Sequence, residues 1–392
     1  MQGKITATLI FAMLALTAGA QDNLEDFLTQ VEQNNTTLAA FRKEVEAEKM
    51  GNRTGILPQN PTAEVYFLRE TGEPGRRTDF NVAQPFDFPT VYGLRNRLAN
   101  SRNQQLESRY HEFRKKVLLR THELFIDMVY FNALEQELEL RLEHANAISR
   151  AYEVMFETGQ TNVLELNKAR INQINARQAL SQTQIEKQAR QAEITSLNGG
   201  KQVLIIDTGF GIAQLPDDFN QWFNQVSERN PSFIRLNQQL EISHTQEKLT
   251  FAENLPRFAA GFMRESLPGE TFQGFGLSAT IPLWENRNTM KHAKLRTMAA
   301  QSHKADALLF MQNRLRSLYN QAAGLKAAAS DYNQVLQNLN NSQLLNNALE
   351  AGEISLIEYL MELSFYYQAV NNALDTQRNL HKTLAAMRHF TL

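Results

Sequence analysis

The sequence predicts a mainly α-helical chain with a small β part, built as two copies of a helix–strand–strand–helix unit. Three observations predict it. All ten prolines fall within 58–89 or 216–282, leaving 90–215 and 283–392 free of the strongest helix breaker. Within those two stretches apolar residues recur at alternating steps of three and four, a period near 3.5 that belongs to helices packed as coiled coil. Short phrases also recur, in order, close to 195 residues apart.

The elements follow in chain order. Residues 1–20 read as a secretory signal: Lys4 is the only charge, an apolar run follows, and Ala18-Gly19-Ala20 offers a small-x-small cleavage site. Without Lys4 the chain carries 39 basic and 42 acidic residues, a net charge of −3. That balance argues against a dedicated nucleic-acid surface. The absence of Cys removes disulfides and an N-terminal lipid-modified Cys. No later run approaches the length of a membrane-spanning helix, which leaves a free periplasmic protein, a secreted one, or one embedded through β-strands.

The first repeat is placed at 21–200, an inter-repeat linker at 201–218 and the second repeat at 219–392. "TAEVYFLRE" and "TDFNVAQPF" flank a turn-rich segment and form a hairpin at about 62–86; "RFAAGFMRES" and "TFQGFGLSATI" flank "LPGE" and form one at about 257–281. Their aromatic residues suit a membrane-facing strand and a soluble hairpin core equally. Each hairpin is followed by a long helix, the first reaching about 65 residues or roughly 97 Å at 1.5 Å per residue. Offsets of 195 ("FLTQVEQNNTTL" with "WFNQVSERNPSF"), 198 (the two "LP" pairs), 197 (Pro85 with Pro282) and 193 (Gly159 with Gly352) mark a duplication.

Catalytic chemistry is thin. The eight His residues contain no i,i+3 or i,i+4 pair and no HExxH, so solvated helix-surface His is the expected role, with no metal site and no cofactor. "LIIDTGFG" (204–211) contains the Asp-Thr-Gly of aspartic proteases, but only one copy exists where two carboxylates must share a proton.

"FETGQTNVLELNKAR" (156–170), "LEAGEISLIEYLMEL" (349–363), the signal and the duplicated halves together resemble the TolC-type outer-membrane efflux protein family, nearest its heavy-metal branch. The resemblance covers about 22–390. It implies three chains sharing a twelve-stranded outer-membrane β-barrel continued by a long α-helical coiled-coil barrel. It also implies a periplasmic adaptor (membrane fusion) protein and an inner-membrane pump of the resistance-nodulation-division or similar type. Two hairpins alone would leave exposed strand edges in lipid, an independent reason to expect an oligomer.

The same resemblance places the adaptor at two helical tips, about 159–162 and 352–355. Gly159 and Gly352 would free the turn, and Thr161 or Asn162, and Ser355, would cap the next helix. Val163, Leu164, Leu356 and Ile357 would seat each turn against its neighbour, with Glu165 facing the adaptor. Glu358 matches the family's pore-facing acid; the second acid that many members carry is Met361 here, giving an expected aperture of Glu358 and Met361. The function so implied is a passive exit duct, the outer-membrane channel of a tripartite efflux pump. A periplasmic or surface coiled-coil scaffold is the alternative, and an exported aspartic protease using Asp207 a remote one.

Overall fold

The computed structural model describes residues 19–69, 71, 75–338 and 342–391. Most of the expected signal, part of the first hairpin turn, and Leu339, one of the apolar residues that recur at steps of three and four within 283–392, lie outside them. The described chain is mainly helical with one antiparallel sheet: α1 (Gly19–Asn34), α2 (Thr36–Gly51), β1 (Thr62–Arg69), β2 (Arg76–Phe86), α3 (Thr90–Glu157), α4 (Val163–Leu197), α5 (Phe219–Arg229), α6 (Pro231–Glu253), β3 (Arg257–Leu267), β4 (Glu270–Thr280), α7 (Thr289–Asn338), α8 (Ser342–Glu350) and α9 (Leu356–Thr391). The order α-α-β-β-α-α repeats, and in the second copy α8 precedes the last helix, α9. The break that ends α1 is repeated too. Asn35 and Asn230, 195 residues apart and both buried, sit between successive helices, and each side chain accepts from a backbone N–H of the helix that follows. An Asn there caps the second helix while interrupting the first.

Two compact units form. One comprises Ala40–Glu112 and Ser227–Gln312 and contains the whole sheet. Its strands run in the order β1-β2-β3-β4, all antiparallel, so the two hairpins join through β2 and β3. Val91 and Leu98 of α3 pack there against Ile242, Leu249 and Ala252 of α6.

The other unit comprises Met1–Ala39, Phe113–Val226 and Asn313–Leu392. At its centre α3 is buried on every face from Leu124 to Asn132. One side packs on Leu24, Phe27 and Val31 of α1 and Ile194 of α4, the other on Leu336 of α7 and Val370, Ala373 and Leu374 of α9. The coiled-coil spacing is visible in α7, where Leu315, Ala322, Ala329 and Leu336 are buried at intervals of seven. Segment 201–218 contains no helix or strand. It is held by Ile205, which joins the core, and by Asn132 Nδ2, which donates to the Ile205 and Asp207 carbonyls at 2.8 and 2.9 Å.

Candidate functional site: two helical tips and an amphipathic sheet

Both tips use the same helix stop. Gly159 and Gly352 adopt φ of +73° and +72°, a left-handed conformation that a Cβ disfavours. Gly159 N–H donates to Phe156 O and Gln160 N–H to Met155 O; Gly352 N–H donates to Leu349 O and Glu353 N–H to Ala348 O. These are the paired 5→2 and 6→1 bonds of a Schellman motif, made twice by one phrase.

The helix starts differ. In the first tip it is Asn162, not Thr161, that caps: its Oδ1 accepts from Leu164 N–H at 2.9 Å and Glu165 N–H at 3.0 Å. The Glu165 carboxylate turns to Lys168 Nζ, 2.8 Å away. In the second tip Ser355 Oγ accepts from Glu358 N–H at 3.4 Å, while Glu358 Oε2 accepts from Ser355 N–H and Oγ, each at 2.8 Å. That is a reciprocal capping box. The Ser355 N–H, with its hydroxyl, holds the Glu358 carboxyl below the usual range. Met361 stands where Lys168 stands in the first copy, so Glu358 has no i+3 cation to turn to.

Of the four apolar residues expected to seat the turns, only Leu356 is buried; Val163, Leu164 and Ile357 are exposed. The first tip is seated instead by Leu166 and Ala169, one helical turn further on. Ala169 joins Ile148, Leu356, Tyr359 and Leu363 in one cluster, so the two tips share a core. Val163, Leu164, Ile357 and Met361 project from it.

A buried polar network beneath the second tip had no signal in the sequence. Tyr359 is fully buried, and its hydroxyl donates to Asn346 Oδ1. It then remains an acceptor for His144 Nε2–H at 2.7 Å, which leaves His144 Nδ1 to accept from Tyr367 OH at 3.4 Å. Arg141 lies over the Tyr367 ring at 4.2 Å and pairs with Glu137 at 2.8 Å. Burial lowers the pKa of His144 and raises that of Tyr359.

The expectation that the histidines are solvated is therefore wrong for three of them. Besides His144, burial pushes His122 of α3 and His381 of α9 down to about 4, with the Arg388 cation adding to the effect. His381 is stacked under Phe210 at 4.9 Å, and single-sequence spacing cannot show that a side chain from segment 201–218 covers it. Asp207 accepts from Asn23 at 3.2 Å, with no second carboxylate motif to serve a protease. Among the described residues no group of three His, Asp or Glu side chains could hold a metal ion.

The sheet register separates two faces. Ala63, Val65 and Phe67 of β1, Phe80, Val82 and Phe86 of β2, Phe258, Ala260 and Phe262 of β3, and Phe275, Leu277 and Ala279 of β4 share one face, by cross-strand pairing. The other face is more polar, carrying Glu64, Tyr66, Arg77, Asp79, Asn81, Glu265 and Glu270 together with Leu68, Met263, Leu267 and Phe272. Arg77 bridges Asp79 at 2.8 Å and Glu265 at 3.0 Å there. The apolar face is open: Phe275 is 92% exposed, Leu277 87% and Phe67 81%. A soluble hairpin core would cover these side chains. β1 and β4 each present an unpaired edge.

No protein-family model and no curated relative matches the chain. Solved structures do. The outer-membrane channel OprN matches over 96% of this chain and 92% of its own, with TM-score 0.80 and 13% identity. CusC, whose structures concern folding and transmembrane channel formation, matches over 94% and 92%, with TM-score 0.78 and 14% identity. The CmeC outer membrane channel of Campylobacter jejuni matches over 94% and 86%, with TM-score 0.73 and 16% identity. The chain has the fold of these outer-membrane channel proteins, which is the TolC-type fold that the duplicated tip phrases resemble.

Proposed function

We propose that this chain is the outer-membrane channel of a tripartite efflux pump, a passive exit duct fed by an inner-membrane transporter through a periplasmic adaptor. The observation that carries the reading is the sheet: one apolar face left uncovered, an opposite face that carries most of its charged residues near Arg77, and two open edges. Lipid cannot satisfy an open edge, and among the described residues no helix is long and apolar enough to cross a membrane. Pairing β1 of one copy with β4 of the next removes the edges. Three copies would close twelve strands, apolar face outward and the Arg77–Asp79–Glu265 face toward the lumen.

The two tips divide the remaining work. Val163, Leu164, Glu165 and Ile357, around the Gly159–Asn162 and Gly352–Ser355 turns, form the adaptor-facing surface, with Leu356 buried beneath it. Three exposed apolar side chains, Val163, Leu164 and Ile357, on capped helix ends support this. Glu358 and Met361 form the aperture. Glu358 keeps its charge without a neutralising cation, whereas Lys168 neutralises Glu165. Three such carboxylates would hold cations and repel anions at the constriction. Fractionation tests the whole: a heat-sensitive trimer in outer membranes is expected, and a wholly soluble monomer rejects the reading.

A further inference from the structure

We propose that the turn-end rim of the sheet's apolar face binds a diphosphorylated glycolipid headgroup through Arg69, Arg76 and Arg264. The inference rests on the membrane insertion proposed above and goes beyond it. Both hairpin turns lie at one end of the sheet, and α2, α3, α6 and α7 connect at the other. In a channel whose helices occupy the periplasm, the turn end reaches the outer leaflet.

Three cations stand on the apolar face at that end. Arg69 and Arg76 are directly opposite in the last row of the β1–β2 ladder. Like charges in direct opposition destabilise a strand pair, and an anion between them reverses the sign of that interaction. Arg264 shares the face two rows further in, on the row of Val65, Phe80 and Gln273. All three are exposed, and no described carboxylate pairs with any of them. Arg77, one position from Arg76 but on the opposite face, has two carboxylate partners among the described residues.

A guanidinium on a lipid-facing strand is costly at mid-membrane and tolerated near the interface, where a phosphate supplies a bidentate partner. The Arg69–Arg76 row and Arg264 are about 13 Å apart along the strand, at roughly 3.3 Å per residue. That span suits a headgroup with a phosphate at each end of a disaccharide. Val65, Phe67, Phe80 and Phe262 beside the arginines continue as the surface for its acyl chains.

The test places the full chain in phosphatidylcholine nanodiscs containing either diphosphoryl lipid A or its fully dephosphorylated form, with retained lipid read by native mass spectrometry. The chain should keep the diphosphoryl form roughly a hundredfold better, on about a fivefold effect per arginine. R69Q/R76Q/R264Q should lose that preference, R69K/R76K/R264K should keep most of it, and R77Q should leave it intact. An inserted chain with no preference, or a Gln triple that keeps it, overturns the proposal. Inorganic phosphate bound as tightly as the lipid would make this a free-anion site and overturn it too. Failure to insert into any nanodisc instead rejects the channel reading itself.

Discussion

Ser355 and Glu358 close on each other: the Ser355 N–H and Oγ both donate to Glu358 Oε2 at 2.8 Å, and Glu358 N–H returns a bond to Ser355 Oγ at 3.4 Å. The proposed aperture acid is thus also the cap of its own helix. Both incoming bonds fall on Oε2, so the same carboxylate can present Oε1 to the pore. Ser355→Ala should loosen the tip by about 1 kcal/mol, the usual cost of a lost N-cap. Hydrogen exchange at 355–359 should rise without a global loss of fold.

Glu358→Ala in a reconstituted trimer should weaken divalent-cation block and cation preference. Met361→Lys should do the same with Glu358 present, because it recreates the Glu165–Lys168 arrangement of the first tip. Single-channel conductance checks both, and an unchanged profile in both variants removes Glu358 from the aperture.

The tip glycines are replaceable in space but not in conformation, since a Cβ on either would touch nothing within 4 Å. Gly159→Ala and Gly352→Ala should each cost roughly 1–2 kcal/mol from the left-handed backbone alone. Asn, which tolerates that region, should cost less. Chemical denaturation followed at the tip would show the ranking, and equal effects of Ala and Asn would contradict it.

The half-buried histidines make stability pH-dependent. His122 and His381 have folded pKa values near 4 against an ordinary 6.5, so the unfolded chain binds more protons between those limits. Stability is full above 6.5, falls as pH drops from 6.5 toward 4, and levels below that. His381→Asn should flatten this slope in a pH series of thermal midpoints. A slope unchanged in both the His381→Asn and His122→Asn variants would show that neither His is responsible.

Phe275 tests the sidedness of the sheet. Phe275→Arg should block insertion or cost about 2–4 kcal/mol of membrane stability, as a charge on the lipid face does. Gln84→Arg, near the helix-connected end of that face, should cost less. Refolding into vesicles of graded urea concentration gives the comparison.

Much of this was legible in the sequence because the signals are local. Pro and Gly punctuation bounded β1 to β4, and the recurrence of Gly159 at Gly352 located both helix stops before any contact was known. The capping chemistry at Asn162 and Ser355 is equally short-range. Burial was less legible. Val163 and Leu164 are apolar and adjacent to the turn, yet Leu166 and Ala169 are the residues that seat it, because the helix rotates about 100° per residue and only packing decides which side faces inward. His122, His144 and His381 looked like surface residues since their covering groups, Phe210 and Tyr359 among them, are distant in sequence.

By itself the sequence determined the duplication, the alternation of long helices with hairpins, and the place where each long helix turns back, all set by backbone preferences within a few residues. The tertiary structure decided which face of the sheet is apolar and that it stays uncovered. Sidedness requires the β2–β3 pairing of Phe80 with Arg264 and Val82 with Phe262, across about 180 residues of chain. No local preference encodes that register; it exists only once the two copies lie side by side.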